Sequence, residues 1–298
     1  MRNIGIITKL SDPEALKATK DLAKWLYKQG CKVAITQETA KDAKIAKKIA
    51  TPADQEKLPH NRDLVVVIGG DGTFIAACRA VGTTGTPLLG INMGRLGFLT
   101  EVTKDAMLST MAEILDGRYT IEKRMLLAIK IKRKNKEILK YLVLNDAVIH
   151  KGALARMLEY EVAIDKQFVF SSRADGLIIS SPTGSTAYSL SAGGPIIHPT
   201  LNTILLVPIC PHTLTNRPIA VPGDGIISIT LSNISSLDQR LTLDGQTGFP
   251  LQEGDKILIK QSKHQLHVLH AADRNYYSIL REKLRWGEQV GSKTDPKN

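Results

Sequence analysis

The sequence predicts an α/β plus all-β chain: a Rossmann-like, open parallel α/β domain followed by a β-sandwich domain. Three observations carry this expectation. Leu64-Val65-Val66-Val67-Ile68 is five apolar residues, four of them β-branched, as in a parallel strand buried on both faces. Strand-like and helix-like apolar patterns alternate through residue 100. Beyond that, short apolar runs are separated by Pro182, Pro195, Pro208, Pro211, Pro218, Pro222, Pro250 and many glycines. The expected division is residues 1–118 for the α/β domain and 119–270 for the sandwich. Residues 271–298 would add a C-terminal helix packing back and a flexible tail.

In order, residues 3–8 read as a strand. Residues 13–29 read as a helix with Ala15, Leu16, Leu22, Ala23 and Leu26 near helical spacing. Asp12 can cap it, Pro13 suits its first position and Gly30 ends it. Lys32–Ile35 is the next strand. The polar, basic stretch 40–61 is expected to be a partly helical flap. Strand 64–68 runs into Gly69-Gly70-Asp71-Gly72, after which a helix capped by Thr73 is expected to reach Val81. Residues 87–92 form a strand leading to a second glycine-bearing loop, Met93–Leu99, and a helix at 103–116 closes this half. Strands are then expected at 126–134, 137–150, 158–165, 176–180, 203–208, 225–232, 239–243, 256–261 and 264–270. A helix over 273–286 and a tail from Gly287 finish the chain.

At 298 residues the chain is long enough for two cores, and 43% hydrophobic with 23% charged residues is the composition of a folded protein. No window approaches the ~18 apolar residues of a membrane span. The first residues, Met1-Arg2-Asn3-Ile4-Gly5, lack the pattern of an export signal. Three widely spaced cysteines fit neither a disulfide framework nor a zinc site, so a cytoplasmic location is expected. The net charge of +11 is dispersed, and aromatic residues are only 5%, too few to stack bases, so nucleic acid is not the expected partner. A positive field also draws small polyanions. His264, His267 and His270 recur every third residue, which places them on both faces of a strand rather than around one metal.

Three places carry candidate chemistry. The Gly69–Gly72 loop, between a buried strand and a helix N-terminus, suits a phosphate, although a plain Gly-Gly-Asp-Gly turn reads the same way. Asp71 is unnecessary in a simple anion cradle and is the first candidate for reactivity. The run Arg173–Pro195 opens from a buried strand into hydroxyls, glycines and Tyr188, a surface suited to a nucleoside or simply a polar loop. Asn145-Asp146 interrupts an apolar strand, marking either a ligand contact or a bulge.

Together, Gly69-Gly70-Asp71-Gly72-Thr73, Asn92–Leu99, Asn145-Asp146, the run 173–195 and Leu243-Asp244-Gly245-Gln246 resemble the NAD kinase family over about residues 1–285. The first motif is shared with lipid kinases and, in part, phosphofructokinases; the Thr-Gly-Ser-Thr-Ala-Tyr-Ser run with the upstream Asn-Asp pair is more specific. The resemblance implies transfer of the γ-phosphoryl of ATP, with Mg²⁺, to the 2′-hydroxyl of the adenosine ribose of NAD. It implies Asp71 as general base, the alternative being mainly a magnesium ligand, with Gly72 beside it, and Asn145 and Asp146 on ribose hydroxyls. Arg173 and Asp175 would lie near the nicotinamide end or an adjacent subunit's ligand. Thr186, Ala187, Tyr188, Ser189, Leu190 and Ser191 would surround the nucleotide, Gln246 would reach it from a later strand, and Arg156 joins the set at a position that varies. A homodimer or homotetramer with shared sites is implied. Many members carry Asn-Glu where this chain has Asn145-Asp146. The alternatives are a lipid kinase sharing the Gly-Gly-Asp-Gly-Thr loop and a non-catalytic NAD(P) sensor.

Overall fold

The computed structural model describes residues 1–152, 157–213, 215–232, 239–271 and 275–286. The chain forms two compact units: Met1–Ala77 with Thr86–Ile121 and the chain from Leu269 onward, and Cys78–Gly85 with Glu122–Val268. Three of the four boundaries between them, after residues 77, 121 and 268, fall inside regular elements rather than at linkers.

In the first unit, β1 (Asn3–Thr8), α1 (Pro13–Lys28), β2 (Lys32–Thr36), α2 (Gln37–Asp42), β3 (Thr51–Ala53), β4 (Leu64–Ile68), α3 (Asp71–Val81), β5 (Leu88–Asn92), β6 (Val102–Thr103) and α4 (Met107–Leu115) follow one another. Among the described residues these strands pair in parallel, in the order β5-β4-β1-β2-β3 with β6 beside β5. Asp12 caps α1 as expected, accepting from the amides of Glu14 and Ala15. The apolar stripe of α1 (Ala15, Ala18, Leu22, Leu26) packs with Ile4, Ile6, Val66 and Ile68 in one core. The stretch expected to be a flap is part of this body. It holds β3, and Ile45, Ala50 and Leu58 are buried. A three-residue strand is too short to leave a period in the sequence.

The second unit contains β7 (Tyr119–Arg133, entering from the first unit), β8 (Lys136–Val143), β9 (Asp146–His150), β10 (Leu158–Ile164), β11 (Gln167–Ala174), β12 (Gly176–Ser180), a 3₁₀ turn (Thr183–Thr186) and α5 (Tyr188–Ser191). It continues with β13 (Thr203–Ile209), β14 (Ile219–Pro222), β15 (Ile227–Ser232), β16 (Arg240–Leu243), β17 (Thr247–Pro250) and β18 (Lys256–Ala271). One antiparallel sheet has the order β14-β13-β12-β9-β16-β17. The other side is built from β11-β10-β15-β18 with β7 and β8. Alternate residues of both meet in a shared core that includes Leu127, Ile129, Ile149, Tyr160, Val162, Leu177, Ile179, Leu206, Ile229 and Ile259. The chain therefore pairs an α/β domain with a β-sandwich. The far face of β12 and β13 is also covered, with Ile178, Leu205 and Val207 packed by Ala192 and Ile197.

β18 joins the two stretches expected as separate strands, and its last part, including Leu269, lies in the first unit's core. α6 (Tyr276–Leu284) follows with Ile279 and Leu280 buried. The expected tail from Gly287 lies outside the described residues.

Candidate functional site

β4 is wholly buried and stops at Gly69. α3 starts at Asp71, two residues before the expected start, and Thr73 is inside its first turn, its amide donating to the Gly70 carbonyl at 3.0 Å rather than its side chain capping the helix. A carboxylate in a first turn suits the helix dipole. That of Asp71 also collects the second glycine loop. Its Oδ2 accepts from the Phe98 amide at 2.9 Å. Its Oδ1 accepts from the Leu99 amide, the Thr100 amide and the Thr100 hydroxyl, each at 3.1 Å. Asn92 braces the same loop, accepting from the Gly94 amide at 2.6 Å and donating to Thr100 Oγ1 at 3.0 Å. Only glycine fits at 97, where a Cβ would stand 2.0 Å from Asp71 Oδ1. Oδ1 is thus filled by three donors, while Oδ2 keeps acceptor capacity.

A cavity of about 620 Å³ lies in the second unit. One end is acidic, formed by Asn145, Asp146, Asp244 and Gly245. Val148, Thr242, Ala187 and Tyr188 line its middle, and His150, Lys151, Asp175 and Ile209 its other end. Asp244 organises the acidic end. β16 turns there with φ of +51° at Asp244 and +64° at Gly245. The Asp244 carboxylate accepts from the amides of Leu144 (3.0 Å), Asn145 (2.7 Å) and Asp146 (3.2 Å), and its own amide donates to the Asp146 carbonyl at 2.9 Å. The interruption at Asn145-Asp146 is therefore a real break between β8 and β9, held by one carboxylate. From below, the Ser181 amide and hydroxyl donate to the carbonyls of Asn145 (2.8 Å) and Leu144 (2.5 Å). Gly184 lies so close that a Cβ would be 2.3 Å from the Asn145 carbonyl oxygen.

Burial, with the charge of Asp244 second, pushes the Asp146 carboxyl up to about 7. Burial also raises Asp244, against the lowering effects of its three amide donors and Arg79. At the far end Lys151 Nζ pairs with Asp175 Oδ1 at 2.7 Å, and His150 Nε2 contacts Thr242 Oγ1 at 2.8 Å.

The hydroxyl run contributes less to this cavity than its composition suggests. Ser185 Oγ donates to the Pro182 carbonyl at 2.7 Å and accepts from the Ile197 amide, and Thr186 Oγ1 donates to the Thr183 carbonyl. These hydroxyls satisfy backbone. Of Thr186, Ala187, Tyr188, Ser189, Leu190 and Ser191, only Ala187 and Tyr188 line the cavity; Ser189 is buried and Ser191 exposed. Arg173 sits elsewhere, its Nε pairing with Glu159 at 3.0 Å. Gln246 is exposed and accepts from Arg79 Nη1 at 2.5 Å. Arg156 lies outside the described residues. Asp71 and Gly72 belong to the first unit.

Sequence reasoning overlooked Asp244, His150, Lys151 and Thr242 as lining residues. Asp244-Gly245 after a strand reads as an ordinary turn, and its three-amide role depends on a partner a hundred residues away. It also overlooked Arg124, buried at 2% exposure, whose Nη1 donates to Thr183 Oγ1 at 3.4 Å and whose Nε pairs with Glu122 at 2.5 Å. Among the described residues no group of three or more His, Cys, Asp or Glu side chains is placed to hold a metal.

Two family models match the chain: the ATP-NAD kinase N-terminal domain over residues 4–119 and the ATP-NAD kinase C-terminal domain over residues 144–271. A relative from Magnetococcus marinus named NAD kinase is 57% identical, covering 99% of this chain and 97% of that protein. Another NAD kinase, from Geotalea daltonii, is 44% identical over 97% of this chain and all of its own. Among solved structures, yeast NADH kinase complexed with NADH superposes with a TM-score of 0.83 at 25% identity, covering 100% of this chain and 89% of that one. An Archaeoglobus fulgidus NAD kinase in complex with ATP shares the fold, with a TM-score of 0.73 at 23% identity over 96% of this chain and 99% of that one.

Proposed function

The chain belongs to the NAD kinase family, and we propose how its own residues divide the work of that family's reaction, the ATP-dependent phosphorylation of NAD to NADP. The ribose hydroxyls of NAD meet Asn145 and Asp146 in the acidic end of the 620 Å³ cavity, where the buried Asn145 Oδ1 has no hydrogen-bond partner among the described residues. Tyr188 and Ala187 flank the rings, and Asp175 with Lys151 receives the opposite end of the dinucleotide. Thr186, Ser189, Leu190 and Ser191 support this wall from behind.

Asp71 is the general base for the adenosine ribose 2′-hydroxyl, and Oδ2 is the atom that takes the proton, since Oδ1 already holds three donors. The loose transition state of phosphoryl transfer places little demand on early proton removal. Gly72 and the first turn of α3 face the phosphoryl group, and Mg²⁺ carried in on ATP would offset its charge. The single observation that carries the reading is the four-donor cradle that fixes Asp71 while leaving one lone pair free.

Arg173, exposed and paired with Glu159, would serve a neighbouring subunit in a homodimer or homotetramer. Among the described residues no helix is long and apolar enough to cross a membrane. We place the enzyme in the cytoplasm on that basis together with its three free cysteines. Neither a lipid kinase nor a non-catalytic sensor is favoured, since both family models match and the curated relatives align end to end.

The test is a coupled assay with NAD, ATP and Mg²⁺, detecting NADP with an NADP-specific dehydrogenase, for the parent and Asp71→Asn. NADP from the parent, with most turnover lost and NAD binding kept in the variant, supports the assignment. A near-normal rate in Asp71→Asn overturns it.

A further inference from the structure

The carboxylates of Asp71 and Asp146 differ, because no donor among the described residues reaches the second. Asp146 is 4% exposed, lines the cavity, and its carboxylate has no hydrogen-bond donor among the described residues. Beside it Asn145 Oδ1 is a buried acceptor, equally unfilled. A ligand surface that lies here must therefore bring donors, such as paired hydroxyls or an amide, and a phosphate is repelled. Asp244 fixes this arrangement by holding the amides of Leu144, Asn145 and Asp146 with its own carboxylate.

We propose that loading the cavity expels one proton: Asp146 is protonated in the empty pocket, the hydroxyl donors of bound NAD replace that proton, and Asp244 is the positioning residue that aims the Asp146 side chain and strengthens its hold on the proton. The inference rests on the reading that NAD occupies this cavity. In the step, Asp146 gives its proton to the buffer, and the resulting carboxylate accepts from ribose hydroxyls in charge-assisted hydrogen bonds.

The surroundings agree with this exchange. Burial chiefly, and then the charge of Asp244, hold Asp146 near 7 in the free protein. From α3, Arg79 acts on Asp244 and partly offsets that charge, while the neighbouring Cys78 thiol is itself pushed far up by burial. From the end of β9, Lys151 spends its charge on Asp175 at 2.7 Å, and His150 is bonded to Thr242. Tyr188 contributes a neutral ring. No cation is paired with Asp146 among the described residues, so the donors that make its ionised form favourable come from the ligand.

Titration calorimetry of NAD into the full-length protein, in two buffers of different ionisation heat, tests this directly. The parent is expected to release close to one proton per NAD at pH 6 and almost none at pH 8.5, with affinity weakening about tenfold per pH unit below the midpoint. Asp146→Asn should abolish the release. In Asp244→Asn, with one negative neighbour gone, the release should begin at lower pH, a shift that a merely structural role would not produce. Buffer-independent heat for the parent at pH 6, or undiminished release in Asp146→Asn, overturns the proposal. An unchanged onset in Asp244→Asn overturns the part given to Asp244. If Asp146→Asn binds NAD as tightly as the parent at pH 8.5, the placement of NAD in the cavity fails instead. The parent and Asp146→Asn decide the matter even if Asp244→Asn does not fold.

Discussion

The Asp71 carboxylate in the first unit accepts four hydrogen bonds from residues 98–100, whereas among the described residues the Asp146 carboxylate in the second accepts none, although Asp146 is the more deeply buried of the two. Both sit where an apolar strand gives way to polar residues, and sequence alone presents them as equivalent. The difference lies in where the complementary donors come from. The protein supplies them for Asp71, which fixes the carboxylate before substrate arrives and suits a group that must meet one hydroxyl in one place. For Asp146 the ligand supplies them, which suits recognition and ties binding to proton release.

The contrast can be broken at either end. The largest effect is expected from Asp71→Asn, which removes the proton acceptor and sets an amide N–H against backbone donors; kcat should fall about 10²–10⁴-fold with NAD affinity nearly unchanged. Asp146→Asn should do the reverse, weakening NAD binding while stabilising the free protein. An acid whose folded value lies at about 7, above its ordinary 3.8, stays protonated when the unfolded chain has ionised. Stability is thus full below about pH 4, declines as pH rises to about 7, and stays low above that. The loss is at most on the order of 4 kcal/mol. Thermal unfolding at pH 5 and pH 8 should show that Asp146→Asn flattens this decline and raises the Tm at pH 8.

Gly97→Ala acts on the protein-supplied side, since a Cβ 2.0 Å from Asp71 Oδ1 and 2.4 Å from Thr100 Oγ1 must push the loop off the carboxylate. A stability loss of about 1–3 kcal/mol, seen in urea unfolding, with a clear drop in kcat is expected. Retained kcat would mean that the cradle is dispensable. Thr100→Val removes one donor of the four, and about 1 kcal/mol of stability with a less than tenfold change in kcat is expected from the same two measurements.

Much of this was legible because local pattern and burial coincide. Leu64–Ile68 is apolar throughout and buried throughout, and Asp12-Pro13 marks a helix start that packing does not override. Other elements left weaker marks. Phe168 and Val169 of β11 are both exposed, so the first half of that strand lacks an inward-outward alternation, and β14 and β17 are four residues long and end in proline. In the site, Asn145 and Asp146 announced themselves as polar residues inside an apolar strand. The hydroxyls of 180–186 announced themselves equally, yet most bind backbone, because a side chain that satisfies a carbonyl looks the same in sequence as one that awaits a ligand. Asp244 stayed hidden since its importance depends on amides distant in the chain.

The passage of β18 from Val268 in one unit to Leu269 in the core of the other has a bearing on how the protein is made. Synthesis delivers the parallel strands first, but the body they build lacks Leu269, Ile279 and Leu280 until the second unit has been made and residues 269–280 have followed it from the ribosome. The parallel strands therefore wait for the sandwich before their own body is finished. A stop codon or protease cut just after residue 268 would strike the Asp71 half of the enzyme, and a fragment ending at 118 would emerge with an apolar gap that invites chaperones and aggregation.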